Sequence, residues 1–296
     1  MKNLFVILFA LIAFVSVHAK KLSIGVSLLP YYSFTKNIVG DRAEVVPLID
    51  AGSNVHGYQI RPQDIRRARG LDVLVVNGVG HDEFAMDILK AAGMDTKIKV
   101  IFASRDVALI PQSANGSTAV NSHTFVSISA SIQQIYTIAN SLADMDPANA
   151  LAYRANATAY AGRLRAMKAV YMARLAKIKN ADFRCATIHG GYSYLLQEFG
   201  FSVEDVIEPA HGVEPSAAQL KDMIERIKKA RVTVVFAEAD FPSSFINTVR
   251  SETGVTVKSL SHLSQGDYTA DFFEKRMRDN LDTLLSAVEG SGHGLR

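Results

Sequence analysis

A single cysteine, Cys185, among 296 residues leaves no partner for an intramolecular disulfide. It lies in the apolar run Arg184 to Ile188 and reads as a buried small hydrophobe. Beyond the first 19 residues, no stretch is long and apolar enough to cross a bilayer. Basic clusters interleaved with aromatics are also missing, and with a net charge of only +3 no nucleic-acid partner is expected. The chain has no HExxH helix, no short-period repeat and no low-complexity segment apart from a Gly-Ser tail. What it does have is apolar residues, 48% of the total, enough for the cores of one large or two ordinary domains.

The N-terminus carries Lys2, the apolar run Leu4 to Val15, and Val17-His18-Ala19 with small residues where a signal peptidase cuts. Residues 1–19 are therefore expected to be a secretory signal peptide, removed after Ala19; a membrane anchor is the alternative, for which the run is short. The signal has no cysteine at its end, so a soluble rather than lipid-anchored protein is expected.

The organising stretch is Asp146 to Asn180, which reads as one uninterrupted helix. Asp146 is placed to be its N-cap and Pro147 its first residue. Tyr153, Ala157, Tyr160, Leu164, Met167, Tyr171, Leu175 and Ile178 follow in steps of three and four, so one apolar stripe faces a core. At about 1.5 Å per residue such a helix runs on the order of 50 Å, long enough to back two lobes. The alternative is a long helix inside a single large domain.

On both sides of it, strands alternate with helices. Strands are predicted at Leu22–Ser27, Val45–Ile49, Val73–Val76 and Lys99–Phe102, and again at Cys185–Ile188, Val203–Ile207, Val232–Ala237 and Val255–Leu260. Helices are predicted between them, with Ser127–Leu142 closing the first half and Thr269–Ala287 the second; Ser216 with Gln219 forms a capping box. This alternation implies parallel sheets covered on both faces. The expected class is α/β: two βα-sandwich lobes, residues 20–145 and 181–296, joined by a rigid backbone helix over 146–180.

Ligands of open α/β sheets bind beyond the carboxyl ends of the strands. His56 follows the second strand, His123 precedes the helix at Ser127, and His189 directly follows the strand at Cys185. Three imidazoles meeting at an interlobe cleft would suit a borderline metal such as zinc.

Asn54-Val55-His56-Gly57-Tyr58 followed by Pro62-Gln63-Asp64, then Asn121-Ser122-His123-Thr124-Phe125, then Thr187-Ile188-His189-Gly190-Gly191-Tyr192 resemble the three metal-ligand segments of the periplasmic zinc and manganese solute-binding proteins of ABC transporters. The likeness continues through Val76-Asn77-Gly78 with Glu83, Glu214-Pro215-Ser216, Phe236-Ala237-Glu238 and Asn280-Leu281. It implies a metal held between two lobes and delivered to a permease in the inner membrane, by a monomeric periplasmic protein. His56, His123 and His189 carry over as ligands, and a histidine at the third position is typical of zinc members, so Zn²⁺ is expected as cargo rather than Mn²⁺ or Fe²⁺.

The fourth ligand departs from the family. An aspartate is common there, but this chain reads Leu260-Ser261-His262-Leu263, with Ser261 at the matching position. His262, water or Glu238 could complete the shell, with Glu238 expected instead as an acceptor for an imidazole N–H; Asp240 is further removed. The segment Pro111 to Val120 is short and uncharged where zinc-type members carry a His-rich loop, which leaves His81 and His211 as accessory candidates, both read as exposed loop residues. Rival readings are a manganese, iron or other divalent-metal binding protein, a secreted zinc hydrolase using Glu238 or Asp240 as base, and, more distantly, a tetrapyrrole or siderophore binder.

Overall fold

The computed structural model describes residues 20–55, 57–111, 119–178, 182–206, 216–238 and 243–290. The leader at 1–19 and the candidate residues His56, His211 and Asp240 lie outside them.

The first half runs β1 (Ser23–Val26), α1 (Leu29–Val39), β2 (Glu44–Pro47), α2 (Pro62–Ala68), β3 (Val73–Val76), α3 (Glu83–Ala92), β4 (Lys99–Phe102) and α4 (Ile128–Met145). After α5 (Ala150–Leu175) come β5 (Cys185–Thr187), α6 (Ser193–Glu198), β6 (Val203–Val206), α7 (Ala217–Ala230), β7 (Val234–Ala237), α8 (Ser243–Thr253), β8 (Thr256–Ser259) and α9 (Phe272–Gly290). The strands form two four-stranded parallel sheets, β2-β1-β3-β4 and β6-β5-β7-β8, so the same topology occurs twice, as the α/β expectation requires. No helix among the described residues is long and apolar enough to cross a membrane.

Central strands are buried on both faces, which is why β1 and β3 read as unbroken runs of buried residues, SIGV and VLVV. In the second sheet the period of two separates two cores. Cys185, Val234 and Phe236 face the main cluster, while Ala186, Val235 and Ala237 face a smaller one with Met223, Ile227, Phe245 and Val249. Burial pushes the Cys185 thiol up to about 12, so it packs as an apolar side chain. Helix starts follow local chemistry: Ser127 Oγ accepts from Ala130 N at 3.1 Å, and Ser216 and Gln219 form the expected capping box.

The long helix is shorter than the sequence suggested. It occupies Ala150–Leu175, about 39 Å at the usual rise, rather than 146–180. Asp146 is not its N-cap: its N–H closes the last turn of α4, and its carboxylate accepts from Asn149 Nδ2 at 2.8 Å and Tyr153 Oη at 2.7 Å. It thus clamps the turn between two helices. The apolar stripe itself is present, with Tyr153, Ala157, Tyr160, Leu164, Met167 and Tyr171 all buried, whereas Leu175 and Ile178 are partly exposed.

A second strut joins the lobes. Helix α9 follows the last strand of the second sheet but packs on α1 and α5. Ser33 Oγ and Asn37 Nδ2 of α1 both donate to Ala270 O, at 2.6 and 2.7 Å, and Arg163 of α5 pairs with Glu274 at 3.0 Å. Phe34 of α1, fully buried, has its ring centroid 4.8 Å from that of Phe273 on α9 and 6.3 Å from Tyr160 on α5. One apolar cluster therefore runs without a break from Ile24 in the first sheet to Val288 in α9. Phe34→Ala should cost about 3–5 kcal/mol, the usual range for a buried aromatic. Urea unfolding should show a lowered midpoint with an unchanged slope.

Candidate metal centre

The candidate ligands lie where both sheets present their strand ends. In each sheet the connections leave the two middle strands in opposite directions, which opens a crevice at their carboxyl ends. The loops carrying His81 and His123 come from the first sheet, and those carrying His189, Glu238 and His262 from the second.

After β3 the chain folds tightly through Gly78 and Gly80, with φ of 85° and 99°, and His81 follows with φ 79°. Asn77 holds this turn: its Nδ2 donates to Gly80 O at 2.8 Å and to Ser122 O at 2.7 Å, while its Oδ1 accepts from Tyr31, Ser104 and Thr124 hydroxyls. Beneath it, buried Asp82 accepts from Ser27 Oγ at 2.5 Å and Asn77 N at 2.6 Å, and burial pushes its carboxyl up to about 6. The loop toward His56 is anchored at Asp50, whose carboxylate accepts from Gln63 and from Arg67, and the Arg67 bond holds it below the usual carboxylate range.

His123 is 7% exposed and its tautomer follows from its contact with Asn121. Asn121 Nδ2 donates to Gly190 O at 2.7 Å, which orients the amide; its Oδ1 then accepts from His123 N and His123 Nδ1, both at 3.0 Å. A neutral ring with its proton on Nδ1 leaves Nε2 bare. That Nε2 lies 3.0 Å from His189 Nε2. Gly191 makes the approach feasible, since a Cβ there would come within 2.8 Å of His189 Cδ2 and 3.1 Å of His123 Cδ2.

His262 is 6% exposed, and its loop is pinned by Asn280, which exchanges hydrogen bonds with Ser261 N and Ser261 O at 2.8 and 2.7 Å, and by Tyr192 Oη donating to Leu260 O. Ser261 Oγ accepts from Leu263 N in a local turn, while the His262 ring reaches the cluster. Its Nδ1 is 3.3 Å from Glu238 Oε1, a geometry that serves either an N–H donor to the carboxylate or a shared ion. Among the described residues, two sets have all their ligand atoms within 4.8 Å of one another: His81, His123 and His262, and His189, Glu238 and His262.

Of the residues singled out from sequence, the structure brings together His123, His189, His262 and Glu238; His56 falls outside the described residues. His81, read as an exposed loop residue, is instead part-buried, with its ring centroid 4.5 Å from that of His123 and 5.8 Å from that of His262. The available signal was its place after Gly78 and Gly80 at the carboxyl end of a central strand.

Polar contacts dock the two histidine segments across the cleft. Tyr194 Oη of α6 donates to Asn121 O at 2.9 Å and accepts from Ile110 N at 3.0 Å. Glu198, at the end of α6, accepts from Ile128 N and Ser129 N at 2.7 and 2.8 Å and pairs with Lys168 of α5 at 2.9 Å. A second-lobe carboxylate thus caps the N-terminus of a first-lobe helix, where the helix dipole favours negative charge.

Two like lobes, two helical struts and a buried imidazole cluster between the strand ends are the architecture of a metal-binding solute-binding protein, a class that binds rather than transforms its ligand. The family model described as zinc-uptake complex component A, periplasmic, matches residues 24–287, and the chain belongs to that family. The solute-binding protein FpvC of Pseudomonas aeruginosa, solved with Ni²⁺, is 53% identical with a TM-score of 0.86, covering 94% of this chain and all of that one; its Mn²⁺ complex gives 0.87. The zinc-binding lipoprotein AdcA of Streptococcus pneumoniae is 26% identical over 92% of this chain, which spans only 57% of that relative's length. The iron-binding protein YfeA of Yersinia pestis is 28% identical over 80% of this chain and 75% of its own length.

Gly191→Ala should push a methyl group into both facing rings. Metal affinity measured by competition titration should fall about 10- to 100-fold, the range found when groups that orient ligands are disturbed.

Proposed function

We propose that the protein captures a divalent transition metal, Zn²⁺ foremost, in the periplasm and hands it as a monomer to an ABC-type permease in the inner membrane, after loss of residues 1–19 as a signal peptide. The observation that carries this reading is the buried His123–His189 pair with Nε2 atoms 3.0 Å apart. Two nitrogens on one tetrahedral zinc, each at about 2.0–2.1 Å, stand roughly 3.3 Å apart, so an ion enters this pair with a displacement of a few tenths of an ångström. His262 and Glu238 close the second-lobe side, and the family resemblance supplies His56 as a further ligand from the first. The ion is cargo: neutral imidazoles take it, and its release follows when the permease favours a less closed arrangement.

Manganese or iron is the second reading. It is favoured by the naming of YfeA as an iron-binding protein and of FpvC as solved with both Ni²⁺ and Mn²⁺. Against it stands the donor set, in which imidazole outnumbers carboxylate; manganese is better served by carboxylate, carbonyl and water. Competition titration of the metal-stripped protein should give one-to-one zinc binding far tighter than that of Mn²⁺. Even competition by Mn²⁺ would remove the zinc assignment and leave the metal-transport reading.

Because protons compete for imidazole nitrogen, affinity should be full above pH 7 and fall progressively below about 6.5. A titration unchanged between about pH 7.5 and pH 5, a span of roughly 2.5 units around the free imidazole value, would exclude a histidine-dominated site. With two helical struts, loading should change the radius of gyration in small-angle scattering only slightly. A large compaction on adding zinc would contradict that.

A further inference from the structure

We infer that His81 is itself a metal ligand, so that among the described residues the site presents four imidazoles, His81, His123, His189 and His262, against the one carboxylate of Glu238, and selects nitrogen-preferring late transition ions over Mn²⁺. This rests on the metal-binding reading above and adds to it a ligand and a basis for selectivity.

Three observations converge on His81. Its ligand atom lies within 4.8 Å of those of both His123 and His262, and its ring meets theirs edge-on. Its backbone is left-handed, φ 79°, a conformation that a side chain with a Cβ adopts at a cost and that persists where the surroundings enforce it. A turn needing only that backbone would be served better by glycine, as at Gly78 and Gly80 just before it. Asn77 and Asp82 hold the turn from both sides, so the imidazole is aimed rather than merely present. Finally, His81 lines a narrow cavity together with Ser27, Asp50, Phe125, Ser264 and Tyr268.

The chemistry of the set follows. Imidazole suits zinc, copper, nickel and iron, and for a given nitrogen site affinity rises from Mn²⁺ toward Ni²⁺ and Cu²⁺. Each imidazole added in place of water widens the gap between nickel or zinc and manganese. His81 is thus a specificity-determining ligand.

The test uses the full mature protein and four substitutions: His81→Asn, His81→Gly, His56→Ala and His123→Ala. Asparagine and glycine both accept a left-handed backbone, so thermal unfolding of either metal-free His81 variant should match or exceed that of the unsubstituted protein. Affinity for Ni²⁺ and Zn²⁺ should fall by at least about 100-fold, the upper end for groups that act only through a ligand, while Mn²⁺ affinity falls less. X-ray absorption of the nickel-loaded His81 variants should show one imidazole fewer than the parent. Unchanged nickel affinity and imidazole count in both His81 variants, with binding lost in His123→Ala, would overturn the role of His81 and leave the metal-binding function standing. Loss confined to His56→Ala and His123→Ala would overturn it equally. Full binding by His123→Ala would take down the functional reading and this inference with it.

Discussion

The packing of Phe34 between Tyr160 and Phe273 is the contact on which the relation of the two lobes rests. It brings α1, α5 and α9 onto one apolar seam, and since α9 follows the last strand of the second sheet, the seam ties that sheet back to the first lobe. Two lobes joined by one helix could rock about either of its ends. Two lobes joined by α5 and by α9 share a continuous buried core, and separating them would expose large aromatic side chains, each among the largest apolar areas a residue can return to water.

On the cleft side the constraint is polar. Asn121, Tyr194 and Glu198 link the His123 segment to the His189 segment through backbone and carboxylate hydrogen bonds, so the two rings are positioned by one docked unit drawn from both lobes. His262 is set by a different support, the Asn280 amide and the Tyr192 hydroxyl. His81 is set by a third, the Asn77 and Asp82 network. The cluster is therefore preorganised from three directions. Its imidazoles are already gathered, so an ion bound there would meet a lower ordering cost without added contacts.

Much of this was legible along the chain. Strand and helix positions follow from runs of two and of three-to-four, and β3 appears at its predicted bounds because turn residues flank it on both sides. The start of the long helix was misread: Asp146-Pro147 has the composition of a helix start, but the Asp146 carboxylate is taken by Tyr153 and Asn149, and the helix begins at Ala150. Local propensity was outweighed by a contact seven residues away. His123 and His189 stand where motif and strand-end position agree, and His262, where the chain departs from the motif, lies beside them in the structure.

His81 reads from sequence as an exposed accessory candidate because a histidine in a Gly-containing loop looks the same whether it faces water or other imidazoles. Its left-handed backbone, and the Asn77 bonds that enforce it, involve residues up to 45 positions apart. The sequence by itself determined the two α/β halves, the apolar stripe of α5 and the strand ends from which the histidines extend, since these depend on periodicity and near neighbours. Only the tertiary structure decided that α9 returns to brace the first lobe, that Glu198 caps α4 across the cleft, and which imidazoles meet. Those are long-range contacts, and pairing of distant surfaces leaves no periodic mark on a single chain.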